Sequence, residues 1–154
     1  MRIVLQRVKY ASVTVDGKIC GKIDQGFMAL VGFCHEDCAE LLEPMAEKMI
    51  NLRIFEDPDG KMNLSLLDVG GELLAISQFT LYADCIKGRR PSFNLAMGGE
   101  GASELYDRFV EICRQKLGKD VQTGIFGADM KVELLNDGPV TIILDSDEIV
   151  KRRG

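Results

Sequence analysis

The sequence contains a single histidine, His35, and this scarcity limits the kinds of catalysis that are available to the protein. A hydrolase with a Ser-His-acid or Cys-His arrangement would have to use His35 as its general base. The next two residues are Glu36 and Asp37, so we expect His35 to lie in a solvated acidic loop. No serine stands in a G-x-S-x-G elbow either. A hydrolase with this sequence would therefore work without a histidine base.

The sequence also lacks the residue clusters that bind metals, phosphates or disulfide partners. Its 5 cysteines are odd in number and include no C-x-x-C pair, which argues against a disulfide framework and against a structural zinc site. We expect buried, reduced thiols instead. Residues 98–101, Gly-Gly-Glu-Gly, lack the Lys-Ser/Thr ending of a phosphate-binding loop. Potential metal ligands are nowhere clustered, so we expect no metal and no cofactor.

Long apolar runs and excess positive charge are missing as well. The longest apolar run, residues 27–34, is far too short to span a membrane, and Arg7 and Lys9 come too early for a signal peptide. We therefore expect a cytoplasmic protein. The formal charge of -5 argues against a protein that coats a nucleic acid, although a local basic patch can bind one RNA end. The length of 154 residues predicts a single domain over residues 1–154.

Apolar residues that alternate with polar ones predict an antiparallel meander at the start of the chain. Residues 2–15 form the first predicted strand, and the turn signal Asp16-Gly17 leads into a return strand over residues 19–23. Gln25-Gly26 would then turn the chain again, into a central strand over residues 27–33.

Two stretches have the apolar spacing of amphipathic helices. Asp37 is the predicted cap of a helix that ends near Leu52, in which Pro44 should cause a kink or mark a restart. The second helix is predicted over residues 103–117, with a cap at Ser103 and a stop at Gly118.

The rest of the chain predicts more strands than helical crossovers. Residues 83–100 have no clear periodicity and are predicted to form a long loop. Further strands are predicted over residues 54–55, 73–81, 123–126, 130–134 and 140–144. This order favours an α+β fold, in which two main helices pack on a curled, barrel-like antiparallel or mixed β-sheet.

The predicted strand over residues 73–81 changes from apolar to polar without a break. Ser77, Gln78 and Thr80 bring two hydroxyls and one amide together around Phe79. Backbone N–H groups at such a strand end can stabilise the oxyanion of acyl transfer. Ser77 or Thr80 could act as a nucleophile or orient a water molecule, but neither has an evident base. The simpler interpretation is a strand end whose polar groups bond to backbone or water.

The long loop that follows contains a basic cluster, Lys87, Arg89 and Arg90, in an otherwise acidic protein. Most clusters of this kind are only solvated loop residues. Close to a strand end lined with hydroxyls, however, the three cations could hold a phosphate backbone.

Near the end of the chain, Asp137-Gly138-Pro139 combines a turn signal with a proline. The proline cannot donate a hydrogen bond to a sheet and forces Gly138 away from helical angles. The simple interpretation is a hairpin in which Pro139 opens the last strand.

The chain closely resembles the D-aminoacyl-tRNA deacylases, also called D-tyrosyl-tRNA deacylases, over nearly its whole length. Several motifs occur in the order that is typical of this family. They are Gln6-Arg7-Val8, Ala11-Ser12-Val13, Asn51-Leu52-Arg53-Ile54-Phe55, Ser77-Gln78-Phe79-Thr80-Leu81, Gly88-Arg89-Arg90-Pro91-Ser92-Phe93 and Asn136-Asp137-Gly138-Pro139-Val140-Thr141.

The resemblance implies a homodimer that cleaves the ester between a D-amino acid and the terminal adenosine of tRNA, with active sites at the subunit interface. Residues 77–80 would line one side of each site. Gly138 and Pro139 would enter from the partner subunit with a cis peptide bond and reject L-amino acids. Arg7 would brace that pair, and Met130 would lie on the strand that leads to it. Glycyl-tRNA would also be cleaved to some extent.

Two other classes of function remain open at the level of the sequence. A small-molecule esterase using Ser77 or Thr80 would also cleave free amino acid esters. A non-enzymatic nucleic-acid-binding module would bind RNA with a steep salt dependence and release no amino acid.

Overall fold

The computed structural model describes residues 1–150, which form eight strands, three α-helices and two 3₁₀ turns. The strands are β1 (Arg2–Val15), β2 (Lys18–Ile23), β3 (Gly26–Gly32), β4 (Phe55–Glu56), β5 (Met62–Leu64), β6 (Glu72–Ser77), β7 (Gln122–Thr123) and β8 (Lys131–Asp145). The α-helices are α1 (Leu42–Asn51), α2 (Gly99–Leu117) and the short α3 (Ser146–Ile149), and the 3₁₀ turns are Ala39–Leu41 and Phe79–Tyr82.

The strands β2 and β3 pair one after the other with β1, and both are antiparallel to it, so the predicted meander is wrong. The turn Asp16-Gly17 is confirmed, with positive φ at both residues. Beyond it, Ala11 lies opposite Ile23 and Val8 lies opposite Gly26 in one uninterrupted register. The chain therefore continues in the same direction at Gln25-Gly26 and does not turn. A β-carbon at Gly26 would lie 1.8 Å from the carbonyl oxygen of Glu72, so the glycine allows the backbones of β3 and β6 to come this close.

The strand β8 covers both of the last two predicted strands, so the predicted hairpin at residues 136–139 is also wrong. It runs antiparallel along the other edge of β1, from Lys131 opposite Thr14 to Asp145 opposite Arg2. Gln6 pairs with Thr141 but Val8 pairs with Asn136, so the intervening residues of β8 form a bulge. The long edge of β1 holds both halves of β8, which is why a turn signal produces a bulge here and no reversal.

The main sheet is mixed and nearly closed. Its order is β2-β1-β3-β6-β7, with β8 on β1, and the pairs β3–β6 and β6–β7 are parallel. The two ends of this order approach each other, because a β-carbon at Gly21 of β2 would lie 2.7 Å from the carbonyl oxygen of Thr123 of β7. The predicted α+β fold with a curled mixed sheet is confirmed.

The helices α1 and α2 cover one face of the sheet and contact each other, but both begin at residues other than those predicted. Asp37 caps neither helix, because its carboxylate accepts from the backbone N–H of Cys34 and pairs with the Met1 ammonium group at 2.6 Å. Pro44 lies in the first turn of α1, where its missing N–H costs no bond within the α-helix. The chain passes from the 3₁₀ turn into the α-helix at Leu42, two residues before the proline.

The helix α2 begins at Gly99, four residues before the predicted cap at Ser103, and ends as predicted at Gly118 in the left-handed conformation. Its buried face includes Tyr106 and Phe109, as the apolar spacing predicted. The Tyr106 hydroxyl donates to the carbonyl oxygen of Ala75 on β6 at 2.6 Å, and burial raises the pKa of this phenol, which keeps the donor protonated. This bond ties α2 to the strand that leads to Ser77.

Only one cysteine matches the expectation of buried thiols. Cys113 lies in the core, where burial raises the pKa of its thiol to about 12. Cys34 is half-buried, and Cys20, Cys38 and Cys85 are exposed, so the expectation is wrong for these four. None of the helices within residues 1–150 is both long and apolar enough to cross a membrane.

Candidate active site

A cavity of about 430 Å³ opens where the parallel strands β3 and β6 end side by side. Its walls come from the end of β3, from residues 76–79, from the start of α2 and from the segment 126–130. The lining is mainly apolar, with few polar groups, as is common for sites that bind small molecules. Side chains that line it include Ser77, Gln78, Phe79, Met97, Phe126 and Met130.

The polar stretch after β6 is a strand end followed by a 3₁₀ turn, so the prediction of an unbroken strand to residue 81 is wrong. The N–H of Gln78 still donates to the carbonyl oxygen of Val31 at 2.8 Å. The partner strand β3 ends at Gly32, and the chain then bonds to itself, with Leu81 N–H donating to the carbonyl oxygen of Gln78. The strand stops because its neighbour offers no further acceptors.

The backbone N–H groups of Phe79 and Thr80 lie in the first turn of this 3₁₀ segment. Such groups have no acceptor within their own helix. Among residues 1–150, neither N–H donates to another protein group. Two adjacent backbone donors thus have no protein acceptor within the described residues, and the first of them belongs to Phe79, which lines the cavity.

The hydroxyls of Ser77 and Thr80 lack a basic partner. The side-chain amide of Gln78 donates to the hydroxyl oxygen of Thr80. Within the described part of the chain, neither hydroxyl bonds to a histidine or a carboxylate. His35 is exposed, and its Nε2 contacts the carbonyl oxygen of Asn94 at 2.7 Å. The geometry therefore contains no Ser-His or Thr-His pair.

Little in the sequence indicates the opposite wall of the cavity. Residues 123–126 were expected to be a strand, but β7 ends at Thr123, and Phe126 lies in a turn beside the cavity. Met130 packs against Gly124 in this wall. A β-carbon at residue 124 would lie 2.4 Å from the Met130 sulfur, so the glycine makes room for the methionine. An isolated aromatic residue directly before Gly127 is the signal that could have identified Phe126.

The long loop is shorter than predicted, because its last residues belong to α2. Gly98 is the N-cap of this helix, and Gly99 lines the cavity. The positive end of the helix dipole therefore faces the cavity and favours negative charge there.

Gly138 and Pro139 lie on the bulge of β8 and line no part of this cavity within one chain. Both are exposed, and the peptide bond between them is cis. Arg7 is 5% exposed and donates to the carbonyl oxygens of Asp137 at 3.0 Å and Ile54 at 2.6 Å. It thus holds the residue directly before Gly138. A single chain does not bring this pair to Ser77.

Lys87, Arg89 and Arg90 are all exposed on the loop that follows the 3₁₀ turn Phe79–Tyr82. Asp84 and Ser92 close the loop with two backbone hydrogen bonds of 2.7 and 2.9 Å. Within residues 1–150, no group of three or more histidine, cysteine or carboxylate side chains is arranged to hold a metal ion.

The cavity thus has mainly apolar walls, and within the described residues its hydroxyls have no basic partner. Comparison with known proteins identifies the family. Residues 4–145 match the family model of D-Tyr-tRNA(Tyr) deacylase. The curated D-aminoacyl-tRNA deacylase of Clostridium perfringens (strain SM101 / Type A) is 59% identical over 146 residues, which is 95% of this chain and 97% of that protein.

Other similar proteins match over nearly the whole chain. The D-aminoacyl-tRNA deacylase of Clostridium kluyveri is 58% identical and covers 97% of this chain and 99% of its own. A solved structure named c-Myc DNA Unwinding Element Binding Protein has a TM-score of 0.89 at 44% identity, covering 95% of this chain and 99% of its own. A structure described as a probable eukaryotic D-amino acid tRNA deacylase shares the fold, with a TM-score of 0.81 at 21% identity. The match covers 93% of this chain and 97% of that chain. The chain belongs to the D-Tyr-tRNA(Tyr) deacylase family, and the prediction of an ester-cleaving deacylase is confirmed.

Proposed function

We propose that the protein hydrolyses the ester between a D-amino acid and the terminal adenosine of tRNA, at a site shared by two copies of the chain. The observation that carries this proposal is the cavity beside residues 77–80. It offers free backbone N–H groups but no activated protein nucleophile. Such a site suits an ester whose own RNA part can assist its hydrolysis.

In this mechanism, a water molecule attacks the ester carbonyl carbon. The N–H groups of Phe79 and Thr80 stabilise the oxyanion, a contribution of roughly 10²–10³ in rate for each donor. The bond between the carbonyl carbon and the adenosine 3′-oxygen then breaks, and the leaving 3′-oxygen takes the proton of the neighbouring 2′-hydroxyl. The 2′-oxygen in turn takes the proton that the attacking water loses, so the products are the free amino acid and a tRNA with both hydroxyls intact. Ser77 and Gln78 position the substrate, and neither Ser77 nor Thr80 forms a covalent intermediate.

The second copy of the chain supplies Gly138 and Pro139. Both are exposed and lie away from the cavity of their own chain, while Arg7 fixes the residue before them. Within the described residues, β8 pairs only with β1, so its outer edge is free. Leu135 and Ile143 on this strand are 49% and 65% exposed. A free edge with exposed apolar side chains favours association with another chain.

Chirality is selected by steric exclusion, since D- and L-amino acids share every functional group. Gly138 lets the partner's backbone come close to the α-carbon of the substrate, and Pro139 keeps that backbone rigid. An L side chain would point into this pair, whereas a D side chain would point to solvent. Met130 contacts the substrate from the cavity wall. Glycine has no side chain to exclude and is cleaved to some extent.

The remaining partners follow from this substrate. Lys87, Arg89 and Arg90 hold phosphates of the tRNA, in the cytoplasm, where charged tRNA is used. This reaction requires no metal and no cofactor.

Deacylation of D-Tyr-tRNA, L-Tyr-tRNA and Gly-tRNA by the purified protein tests the proposal. We expect rapid cleavage of D-Tyr-tRNA, slower cleavage of Gly-tRNA and none of L-Tyr-tRNA. Comparable cleavage of L-Tyr-tRNA would contradict the chiral mechanism. Equal cleavage of D-tyrosine methyl ester would favour a small-molecule esterase, and tRNA binding without release of tyrosine would favour a binding module.

A further inference from the structure

Two aromatic rings form an exposed pair at the mouth of the cavity. The rings of Phe79 and Phe93 pack edge to face, with centroids 5.1 Å apart and planes at 71°. Phe79 is 55% exposed and Phe93 is 40% exposed. Phe79 also lines the cavity, so the pair continues the binding surface outward from it. Adjacent exposed aromatic side chains of this kind mark a binding surface more often than isolated ones do.

The segment that carries Phe93 is held firmly in place. Ser92 exchanges two backbone hydrogen bonds with Asp84, and Met97 N–H donates to the carbonyl oxygen of Phe33 at 3.0 Å. His35 contacts the carbonyl oxygen of Asn94 at 2.7 Å, between these two anchors. The ring is therefore preorganised, so binding to it has a small entropic cost.

Positive charge follows directly along the same surface. The loop that Asp84 and Ser92 close ends one residue before Phe93 and carries Lys87, Arg89 and Arg90, all exposed. Phe79 at the cavity, Phe93 against it and the three cations of the adjoining loop thus follow one another on connected elements. Aromatic faces next to a cationic track are how proteins hold single-stranded nucleic acid.

We propose that Phe79 and Phe93 form a stacking platform for the unpaired nucleotides that directly precede the terminal adenosine of the tRNA. The inference rests on the proposed function, which puts the ester of that adenosine at the cavity. The nucleotide before it then reaches the two rings, and the basic loop meets its phosphates. The platform lets the enzyme recognise the single-stranded 3′ end of any tRNA, because every base has a face that can stack.

Phe93→Ala tests the platform, because Phe93 does not line the cavity. The two substrates are D-Tyr-tRNA and 3′-O-D-tyrosyl-adenosine, which has no preceding nucleotides. We expect kcat/KM for D-Tyr-tRNA to fall roughly 5- to 150-fold, as loss of one stacked base predicts. Cleavage of the adenosine ester should stay unchanged, and Phe93→Tyr should restore the wild-type rate on tRNA. Ile86→Ala is the matched control, since Ile86 is 88% exposed on the same loop and has no ring.

Equal losses on both substrates, or equal effects of Phe93→Ala and Ile86→Ala, would overturn the platform. Binding of uncharged tRNA gives a second measurement that does not depend on catalysis. Phe93→Ala should weaken binding of intact tRNA but not of tRNA shortened by its unpaired 3′ nucleotides, and equal weakening of both would also overturn it. If the wild-type protein cleaves neither ester, the proposed function has failed, while the binding comparison still decides the role of Phe93.

Discussion

The side-chain amide of Gln78 donates a hydrogen bond to the hydroxyl oxygen of Thr80 at the mouth of the cavity. A hydroxyl oxygen that accepts from an amide has one lone pair engaged and is a weaker nucleophile. Activation would require a base that takes the hydroxyl proton. Among the described residues, no histidine or carboxylate hydrogen-bonds to Thr80. This relationship favours positioning over covalent catalysis as the role of Thr80.

Removal of either hydroxyl should therefore leave an active enzyme. We expect Thr80→Ala and Ser77→Ala to retain D-Tyr-tRNA deacylation within about tenfold of wild type, well short of the losses seen for catalytic nucleophiles. Single-turnover kinetics with saturating enzyme provide the measurement. An inactive Thr80→Ala protein that still folds and binds tRNA would point to hydroxyl chemistry, and an acyl-enzyme trapped on Thr80 would prove it.

Removal of a backbone donor should cost far more than removal of a hydroxyl. Proline at residue 79 lacks the N–H and suits the first position of a helical turn, and it requires the ψ of Gln78 to rise from 86° toward extended values. We expect the rate of the chemical step to be roughly 10²- to 10³-fold lower for Phe79→Pro than for Phe79→Ala. Both variants lack the ring, so their ratio isolates the donor. Equal rates for the two variants would exclude the Phe79 N–H as an oxyanion donor.

Neutral residues in the basic loop should weaken tRNA binding in a salt-dependent way. For each of Lys87→Ala, Arg89→Ala and Arg90→Ala, the slope of log affinity against log salt should fall by roughly 0.7–0.9 if one phosphate contact is lost. Filter binding of uncharged tRNA over a range of salt concentrations measures this slope. Lys18→Ala, at the exposed start of β2, is the control. Slopes that match the control would mean that the loop is only solvated.

The bond between the Tyr106 hydroxyl and the Ala75 carbonyl oxygen should contribute to stability. Tyr106→Phe keeps the ring and removes only the donor, so we expect the free energy of unfolding to fall by about 1–2 kcal/mol. Urea unfolding provides the measurement. Tyr10→Phe is the matched control, because Tyr10 is 42% exposed and should lose almost nothing. Equal stability of the two variants would mean that water replaces the bond to Ala75 at no cost.

Local signals in the sequence predicted the elements better than their connections. Asp16-Gly17 and the alternation before it predicted β1 and its turn, and the apolar spacing predicted the buried face of α2. Gln25-Gly26 and Asp137-Gly138-Pro139 carry similar turn signals, yet the chain continues through both. In each case, pairing with the long strand β1 outweighs the local preference, and the sequence of the turn residues does not contain that information.

The candidate site was predictable only where it is local in the chain. Residues 77–80 stand together in the sequence, so their polarity was visible. Met97, Gly99 and Phe126 reach the cavity from other elements, and only the folded chain brings them together. Gly138 and Pro139 lie outside the cavity of their own chain, so their part in the site depends on a second copy.

That shared site can be tested by combining two different defects. Gly138→Ala should disturb the bulge, because Gly138 has a φ of +132° and a β-carbon there would lie 2.8 Å from Val140 Cγ2. Phe79→Pro damages the other half of the site. In a dimer of one chain of each kind, one shared site has both elements intact and the other has both altered.

Deacylation of D-Tyr-tRNA by purified heterodimers, isolated through two different affinity tags, is the most direct measurement. We predict that both homodimeric variants are nearly inactive and that the heterodimer has about half of the wild-type activity, since one of two symmetric sites is intact. If the heterodimer is as inactive as the two homodimers, residues 79 and 138 do not act across the subunit interface, and the shared site is contradicted.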